Sequence, residues 1–242
     1  MYNLTQRQIQ ILKSLIEEYI QTAMPVGSET LEKKHSLTAS PATIRNEMMK
    51  LEELGYLKKP HTSAGRIPTP MAMRFYVNQQ LKEKELTVAE EVAMKERVWD
   101  YREEENRFFR MAVKALAEKT KTLAIAVTED GDVFTSGYAN LLEMPEFFEI
   151  DVARELLVAL DEYDMLSTLF ATKQDGDICI LLGEEMGPRL SGPYSCVFTH
   201  FTTPMQTRGE IGVIGPTRLN YMYVIPTVRY FGNLVEQVAK GW

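Results

Sequence analysis

Thr43, Arg45 and Asn46 stand close together near the start of a short stretch with periodic apolar residues, and Lys50 follows them. An arginine can donate two hydrogen bonds to the edge of guanine, and an asparagine can make a paired contact with adenine. A threonine can bond a base or touch a methyl group. This combination suits the reading of base edges, although an ordinary solvated helix face would have a similar composition.

The residues around this group predict a helix over residues 41–54. Ser40 precedes Pro41, which is a strong start signal because serine caps the helix and proline at the first position loses no hydrogen bond. Gly55 provides a left-handed end. The apolar side chains are spaced by four, three and three residues and predict one buried face, formed by Ile44, Met48, Leu51 and Leu54.

A basic hairpin is predicted directly after this helix. Residues 56–61 and 66–68 can pair as two short strands around the tip 62–65, and Pro60 and Pro68 would be tolerated only at a sheet edge. Its polar side chains suit contacts with phosphates or the minor groove. With the helix-capping serine, the predicted backbone-binding set is Ser40, Lys58, Lys59, His61, Thr62, Ser63 and Arg66.

Further helices are predicted over residues 5–23, 28–35 and 70–82. Three short helices followed by a basic hairpin form a winged helix-turn-helix, whose second motif helix enters the major groove. Residues 1–82 contain 11 Lys and Arg against 7 Asp and Glu, whereas residues 83–242 contain 16 against 27, so the basic charge is concentrated in the first part. We therefore expect a DNA-binding domain over 1–82, with an RNA or protein interaction module as the alternative.

Residues 83–120 are predicted to form one long linking helix. Thr87 and Glu90 make a capping box, and no glycine or proline follows before Lys119. Its apolar residues form a seam that could pack on a second subunit or within its own domain. The middle position of the seam is occupied by Glu105. The seam consists of Met94, Val98, Tyr101, Phe108, Ala112 and Ala115.

Residues 121–242 are predicted to form an α+β domain with a largely antiparallel sheet. Strands are expected near 121–127, 133–140, 177–183, 195–203 and 209–214. Helices are expected between 147 and 171 and over 224–239. The closing helix, like the long linking helix, is a candidate for a dimer contact.

The pattern of reactive residues does not predict an enzyme, a metal site or a cofactor. His35, His61 and His200 lack metal-binding spacing, and His35 and His200 are expected to be structural. Cys179 and Cys196 are expected to be buried thiols. The glycines of GEIGVIG are expected to serve strand bends, and Glu184-Glu185 a solvated turn.

Two groups of strings in the sequence resemble one known family. The run SPATIRNEMMKLEELGYLKKPHTSAGRIPT (40–69), continued by MRFYVNQQL, resembles the DNA-binding domain of the bacterial heat-inducible transcription repressor family HrcA. The similarity continues at GYANLLEMPEF (137–147), LLGEEMG (181–187) and GEIGVIGPTRLNYMYVIPTV (209–228).

The resemblance implies a transcriptional repressor of heat-shock genes in which residues 121–242 form a GAF-like domain. It further implies a homodimer on a CIRCE-type inverted repeat upstream of chaperonin operons, with the chaperonin GroEL as modulator. The amphipathic N-terminus and the absence of a long apolar run favour a cytoplasmic protein with no membrane contact. A small-molecule sensor in the GAF-like domain is the alternative.

One departure from the family pattern concerns the segment that these repressors usually carry within the GAF-like domain, implicated in dimerisation. Here TLAIAVTEDGDV is followed almost directly by FTSGYANLL, so the sequence predicts that this segment is absent. The usual dimer contact would then be absent as well.

Overall fold

The computed structural model describes residues 4–35, 37, 39–60, 65–171, 176–190, 192–203 and 207–238. The chain divides into two compact units, Met1–Lys82 and Glu83–Trp242. The α+β class, with a winged helix first and an antiparallel sheet second, is confirmed. None of the described helices is long and apolar enough to cross a membrane.

The first unit contains four α-helices and a two-stranded sheet. A capping box starts the first helix, because Thr5 accepts from the Gln8 amide and the Gln8 side chain accepts from the Thr5 amide. Left-handed Ala23 ends it. The elements are α1 (Gln6–Thr22), α2 (Ser28–His35), α3 (Pro41–Glu53), β1 (Leu57–Lys58), β2 (Ile67–Pro68) and α4 (Pro70–Phe75).

The predicted helix over 70–82 is only partly correct, since α4 passes into a π-helical turn, Tyr76–Gln80. The Leu81 amide donates to the Tyr76 carbonyl at 2.9 Å. Tyr76 is buried, and Leu81, five positions later, is half-buried. A π turn has this wider spacing and keeps both residues on one side.

The second unit has a five-stranded antiparallel sheet with the order β4-β3-β7-β6-β5. Its strands are β3 (Leu123–Thr128), β4 (Val133–Ser136), β5 (Cys179–Leu182), β6 (Tyr194–Thr202) and β7 (Arg208–Pro216). Its helices are α5 (Val88–Trp99), α6 (Glu105–Thr120), α7 (Tyr138–Leu142), α8 (Ile150–Asp161), α9 (Tyr163–Phe170) and α10 (Tyr221–Val238).

Helices cover both faces of this sheet. Leu123, Ile125 and Val127 of β3 belong to the core cluster that includes α8 and α9. On the opposite face Phe109 of α6 stacks on Phe134, with ring centroids 5.3 Å apart. All six residues of β3 are buried, because alternate residues serve the two layers.

The long linking helix is wrong as predicted, because the chain turns between α5 and α6. The Tyr101 amide donates to the Val98 carbonyl at 3.0 Å, and the Glu104 amide donates to Tyr101, also at 3.0 Å. The two helices pack against each other within the unit, and the seam is buried on both of them, with only Tyr101, in the turn, half-buried. A straight helix would have carried Glu105 into the middle of that seam, whereas the turn removes it from the apolar row.

The connection from β4 to α7 consists of Gly137 alone. Its φ is +93°, and a Cβ there would lie 2.3 Å from the Thr122 carbonyl oxygen, so only glycine fits. The predicted strand 133–140 therefore ends at Ser136. No further segment separates β4 from GYANLL, as the sequence predicted.

Candidate nucleic-acid interface

The start of α3 is fixed by its capping residue. Ser40 Oγ accepts a hydrogen bond from the Thr43 amide at 3.3 Å and lies 3.0 Å from Thr43 Oγ1. Pro41 occupies the first turn. This arrangement holds the first turn of α3, where the candidate base-reading residues begin.

One face of α3 is buried and the other is open to solvent. Ile44, Met48 and Leu51 are buried against the neighbouring helices. Arg45 and Asn46 are exposed, whereas Thr43 is half-buried. The remaining exposed side chains of this face are Ala42, Met49, Lys50 and Glu53.

Lys50 has a partner on its own helix. Its Nζ lies 3.0 Å from Glu47 Oε1, and Glu47 also accepts from Gln8 Nε2 at 3.1 Å. The Lys50 hydrogen bond lowers the pKa of the Glu47 carboxyl, with burial opposing this shift. The Lys50 side chain is 57% exposed, and such pairs contribute little, so a DNA phosphate or base could compete for it.

The wing is shorter than predicted and is held by a third strand segment. Leu57 pairs with Pro68 and Lys58 with Ile67, while Val26 forms an isolated bridge with Arg66. The Val26–Arg66 bridge has two backbone hydrogen bonds of 2.9 Å. A Cβ at Gly65 would lie 2.4 Å from the Val26 carbonyl oxygen, so glycine is required for this close approach.

The structure describes only some of the polar side chains predicted for the wing. Lys58 and Lys59 are exposed and are free to approach a phosphate backbone. His61, Thr62 and Ser63 lie outside the described residues, so their roles remain predictions.

Arg66 is largely buried, unlike Lys58 and Lys59. Its side chain is only 11% exposed, and Nε donates to Glu52 Oε2 at 2.8 Å. A guanidinium engaged in this way joins the wing to the end of α3. This contact holds the wing in place, and the DNA contact of Arg66 stays a prediction.

Sequence reasoning missed two carboxylates, one of them buried, that position the basic elements. Glu18 of α1 is one: its side chain is 6% exposed and lies 2.6 Å from Lys34 and 3.3 Å from His35. This contact supports the structural role expected of His35. Glu18 and Glu52 could not be identified from spacing, since their partners lie 14 to 17 residues away.

The other groups considered for chemistry serve the fold of the second unit. Gly212 lies where a Cβ would come within 2.3 Å of the Val197 carbonyl oxygen, so the β7 glycine permits close strand contact rather than a bend. Glu185 accepts from the Leu182 amide at 2.9 Å within a 3₁₀ turn. Among the described residues, no group of three His, Cys, Asp or Glu could hold a metal ion.

Two family models match the chain. Residues 3–82 match "Winged helix-turn-helix transcription repressor, HrcA DNA-binding", and residues 67–225 match "HrcA protein C terminal domain". Together they span residues 3–225, which contain most of both compact units.

Full-length relatives are similar across both units. The "Heat-inducible transcription repressor HrcA" of Acetivibrio thermocellus is 28% identical over 336 positions, covering 97% of this chain and 96% of that protein. The protein of the same name from Geobacter sulfurreducens is 28% identical over 341 positions, covering 100% of each. An alignment of 336 positions exceeds the 242 residues of this chain by 94, which agrees with the loss of an internal segment.

A solved structure shares the fold. It is titled "Crystal structure of a hypothetical protein at 2.2 A resolution", and it matches with a TM-score of 0.75 and 18% identity over 98% of both chains. The winged-helix unit, the antiparallel second unit and the two family models agree, and the chain belongs to the HrcA family of heat-inducible transcription repressors.

Proposed function

We propose that this protein represses heat-shock (chaperone) genes by binding a CIRCE-type inverted-repeat operator as a homodimer. The observation that carries the proposal is the exposed pair Arg45 and Asn46 near the capped start of α3, beside a wing with two exposed lysines. Family membership supports the repressor role.

Base reading is assigned to the exposed face of α3. Arg45 and Asn46 would make the paired contacts with guanine and adenine, and Thr43 and Lys50 would add single contacts. Ala42 and Met49 are exposed on the same face and could touch thymine methyl groups. This face supplies the specificity.

Backbone contact is assigned to the wing and to the start of α3. Lys58 and Lys59 would neutralise phosphates, and each such contact releases counterions and makes the affinity fall with salt. Ser40, His61, Thr62 and Ser63 would add polar contacts that position the protein without reading sequence.

The homodimer follows from the symmetry of an inverted repeat, since each half-site takes one winged helix. The contact between protomers must use surface other than the predicted seam, because Met94, Val98, Phe108 and Ala112 are buried within one chain. The chaperonin GroEL is the proposed modulator, and the cytoplasm is the proposed location, on family grounds.

The test is fluorescence anisotropy with a labelled chaperonin-promoter inverted repeat, a scrambled duplex and a single half-site at two salt concentrations. We expect the intact repeat to bind more tightly than both controls. Equal, purely salt-dependent binding to all three duplexes would refute sequence-specific dimeric repression.

A matched control is available in the second unit. Lys114 is an exposed lysine of α6, so Lys114→Ala removes one positive charge without touching α3 or the wing. It should leave the affinity for all three duplexes unchanged. A loss equal to that of Lys58→Ala would mean that net charge, rather than the wing, determines backbone binding.

A further inference from the structure

Two thiols, an imidazole and a carboxylate meet on three neighbouring strands of the second unit. Cys179 Sγ lies 3.8 Å from His200 Nε2, and His200 Nδ1 lies 3.1 Å from Glu210 Oε1. Cys196 lies on the same sheet face as Cys179. DNA binding by α3 and the wing does not require this group.

The sheet register fixes the arrangement. His200 of β6 stands directly opposite Glu210 of β7, and Cys179 of β5 stands opposite Phe198, two residues before His200. The three side chains therefore come from rigid strand positions, which hold a constellation more accurately than loops do.

The hydrogen bond to Glu210 determines which tautomer of His200 faces the Cys179 thiol. When Nδ1 carries the proton and donates it to the carboxylate, the Nε2 lone pair faces Cys179 Sγ. Burial raises the pKa of Glu210, with the His200 hydrogen bond opposing, and a more basic carboxylate is a stronger acceptor for that proton. A nucleophile beside a base that is oriented by a third group is the arrangement of an activated thiol.

The two cysteines differ in their surroundings and therefore in their expected reactivity. Burial raises the pKa of the Cys196 thiol, and it should stay protonated and inert. Among the described residues, charged groups near the site include Glu129, which acts on Glu210, and the Asp177–Arg229 ion pair next to β5.

We propose that Cys179 is a thiol site for oxidation by a small hydroperoxide, activated by the His200–Glu210 pair. The reagent must be small because Cys179 is 1% exposed, while the His200 side chain beside it is 47% exposed and marks the accessible edge. His200 Nε2 takes the thiol proton, and the thiolate is the reacting species.

The reaction is balanced by these groups. The thiolate sulfur attacks the terminal oxygen of ROOH, the S–O bond forms and the O–O bond breaks. The departing alkoxide takes the proton from imidazolium Nε2 and leaves as ROH. Sulfur is oxidised by two electrons, the peroxide is reduced, and Cys179 becomes a sulfenic acid.

The product should remain a sulfenic acid rather than an internal disulfide. Cys196 pairs with Leu181 and Cys179 with Phe198, so the cysteines are diagonal neighbours. Diagonal neighbours on adjacent strands lie roughly 7–8 Å apart, whereas a disulfide needs Cα atoms about 4.4–6.8 Å apart.

The test treats the full chain with hydrogen peroxide in the presence of dimedone and follows each cysteine by peptide mass spectrometry. At neutral pH we expect Cys179 to be labelled at least about tenfold faster than Cys196, because only Cys179 lies beside the His200 base, whereas burial raises the pKa of the Cys196 thiol. His200→Gln should slow the labelling of Cys179 by about tenfold or more, and Glu210→Gln should slow it by a smaller factor.

His35→Gln in the first unit is the matched control and should leave the labelling rate unchanged. Equal labelling of both cysteines would overturn the proposal, as would an unchanged rate in both His200→Gln and Glu210→Gln. A rate that rises steeply in mild urea would also refute it, since oxidation would then proceed through local unfolding. The assay contains no DNA, so its failure would not bear on the repressor function.

Discussion

Replacing Arg66 with alanine tests whether this residue holds the wing or contacts DNA. Its side chain is 11% exposed, and its Nε–Glu52 hydrogen bond is 2.8 Å long. A hydrogen bond between charged groups contributes about 1.5–3 kcal/mol, and the 33% exposure of the Glu52 side chain places this one toward the lower end. We expect Arg66→Ala to cost the first unit about 2 kcal/mol of unfolding free energy.

The matched variants are Glu52→Ala and the double variant. If the two side chains act as one contact, the double variant should cost little more than Arg66→Ala alone. Both tryptophans, Trp99 and Trp242, lie outside the first unit, so their fluorescence does not report on it. Hydrogen exchange by mass spectrometry does, with the amides of Val26 and Arg66 as reporters because they pair with each other across the wing.

DNA binding separates the two roles of Arg66. If it only holds the wing, Arg66→Ala and Glu52→Ala should weaken all duplexes alike and leave the salt slope unchanged. If it contacts a phosphate, Arg66→Ala alone should flatten the slope by about one. A flattened slope with unchanged hydrogen exchange would refute the structural assignment.

Four other substitutions have defined outcomes. Arg45→Ala should cost about 1–3 kcal/mol of binding free energy at the cognate repeat and reduce the preference of the protein for that sequence. Lys58→Ala should weaken binding to all duplexes and flatten the salt slope by about one. Anisotropy titrations measure both effects. Hydrogen bonding from α2 lowers the pKa of the Glu18 carboxyl. The stability that the ionised carboxylate gives the first unit is therefore present above the ordinary carboxyl pKa and is lost as the pH falls. In Glu18→Gln, the hydrogen exchange of the first unit should change less on acidification than in the wild type. Gly212→Ala should destabilise the second unit by about 1–3 kcal/mol in urea unfolding, since its Cβ would clash with the Val197 carbonyl; a wild-type midpoint would contradict the close strand contact.

Helix starts in the first unit were predictable because their signals are local. The Thr5–Gln8 capping box and the Ser40-Pro41 start lie within a few residues of the ends that they fix. The turn between α5 and α6 was not predictable in this way. Nothing in residues 100–104 forbids a helix, and the turn becomes favourable only when both halves of the seam are buried within the unit.

The wing was also only partly predictable from the sequence. Its hairpin and its basic character follow from adjacent residues, but its length depends on the bridge between Val26 and Arg66, which are 40 positions apart. That bridge turns Arg66 inward and makes Gly65 necessary. Sequence patterns therefore located the wing, whereas contacts distant in sequence decided which of its charges remain available to DNA.

The same reasoning ranks the residues of α3. Ser40 and Thr43 hydrogen-bond to each other in capping the helix, and Lys50 pairs with Glu47, so each gives up an existing contact when it binds DNA. Arg45 and Asn46 lie exposed between them and lose only water. A bond that replaces an existing bond yields less net free energy than one formed by an exposed group. Specificity at the operator should therefore depend more on Arg45 and Asn46 than on Thr43 or Lys50, although the sequence predicts base contact for all four.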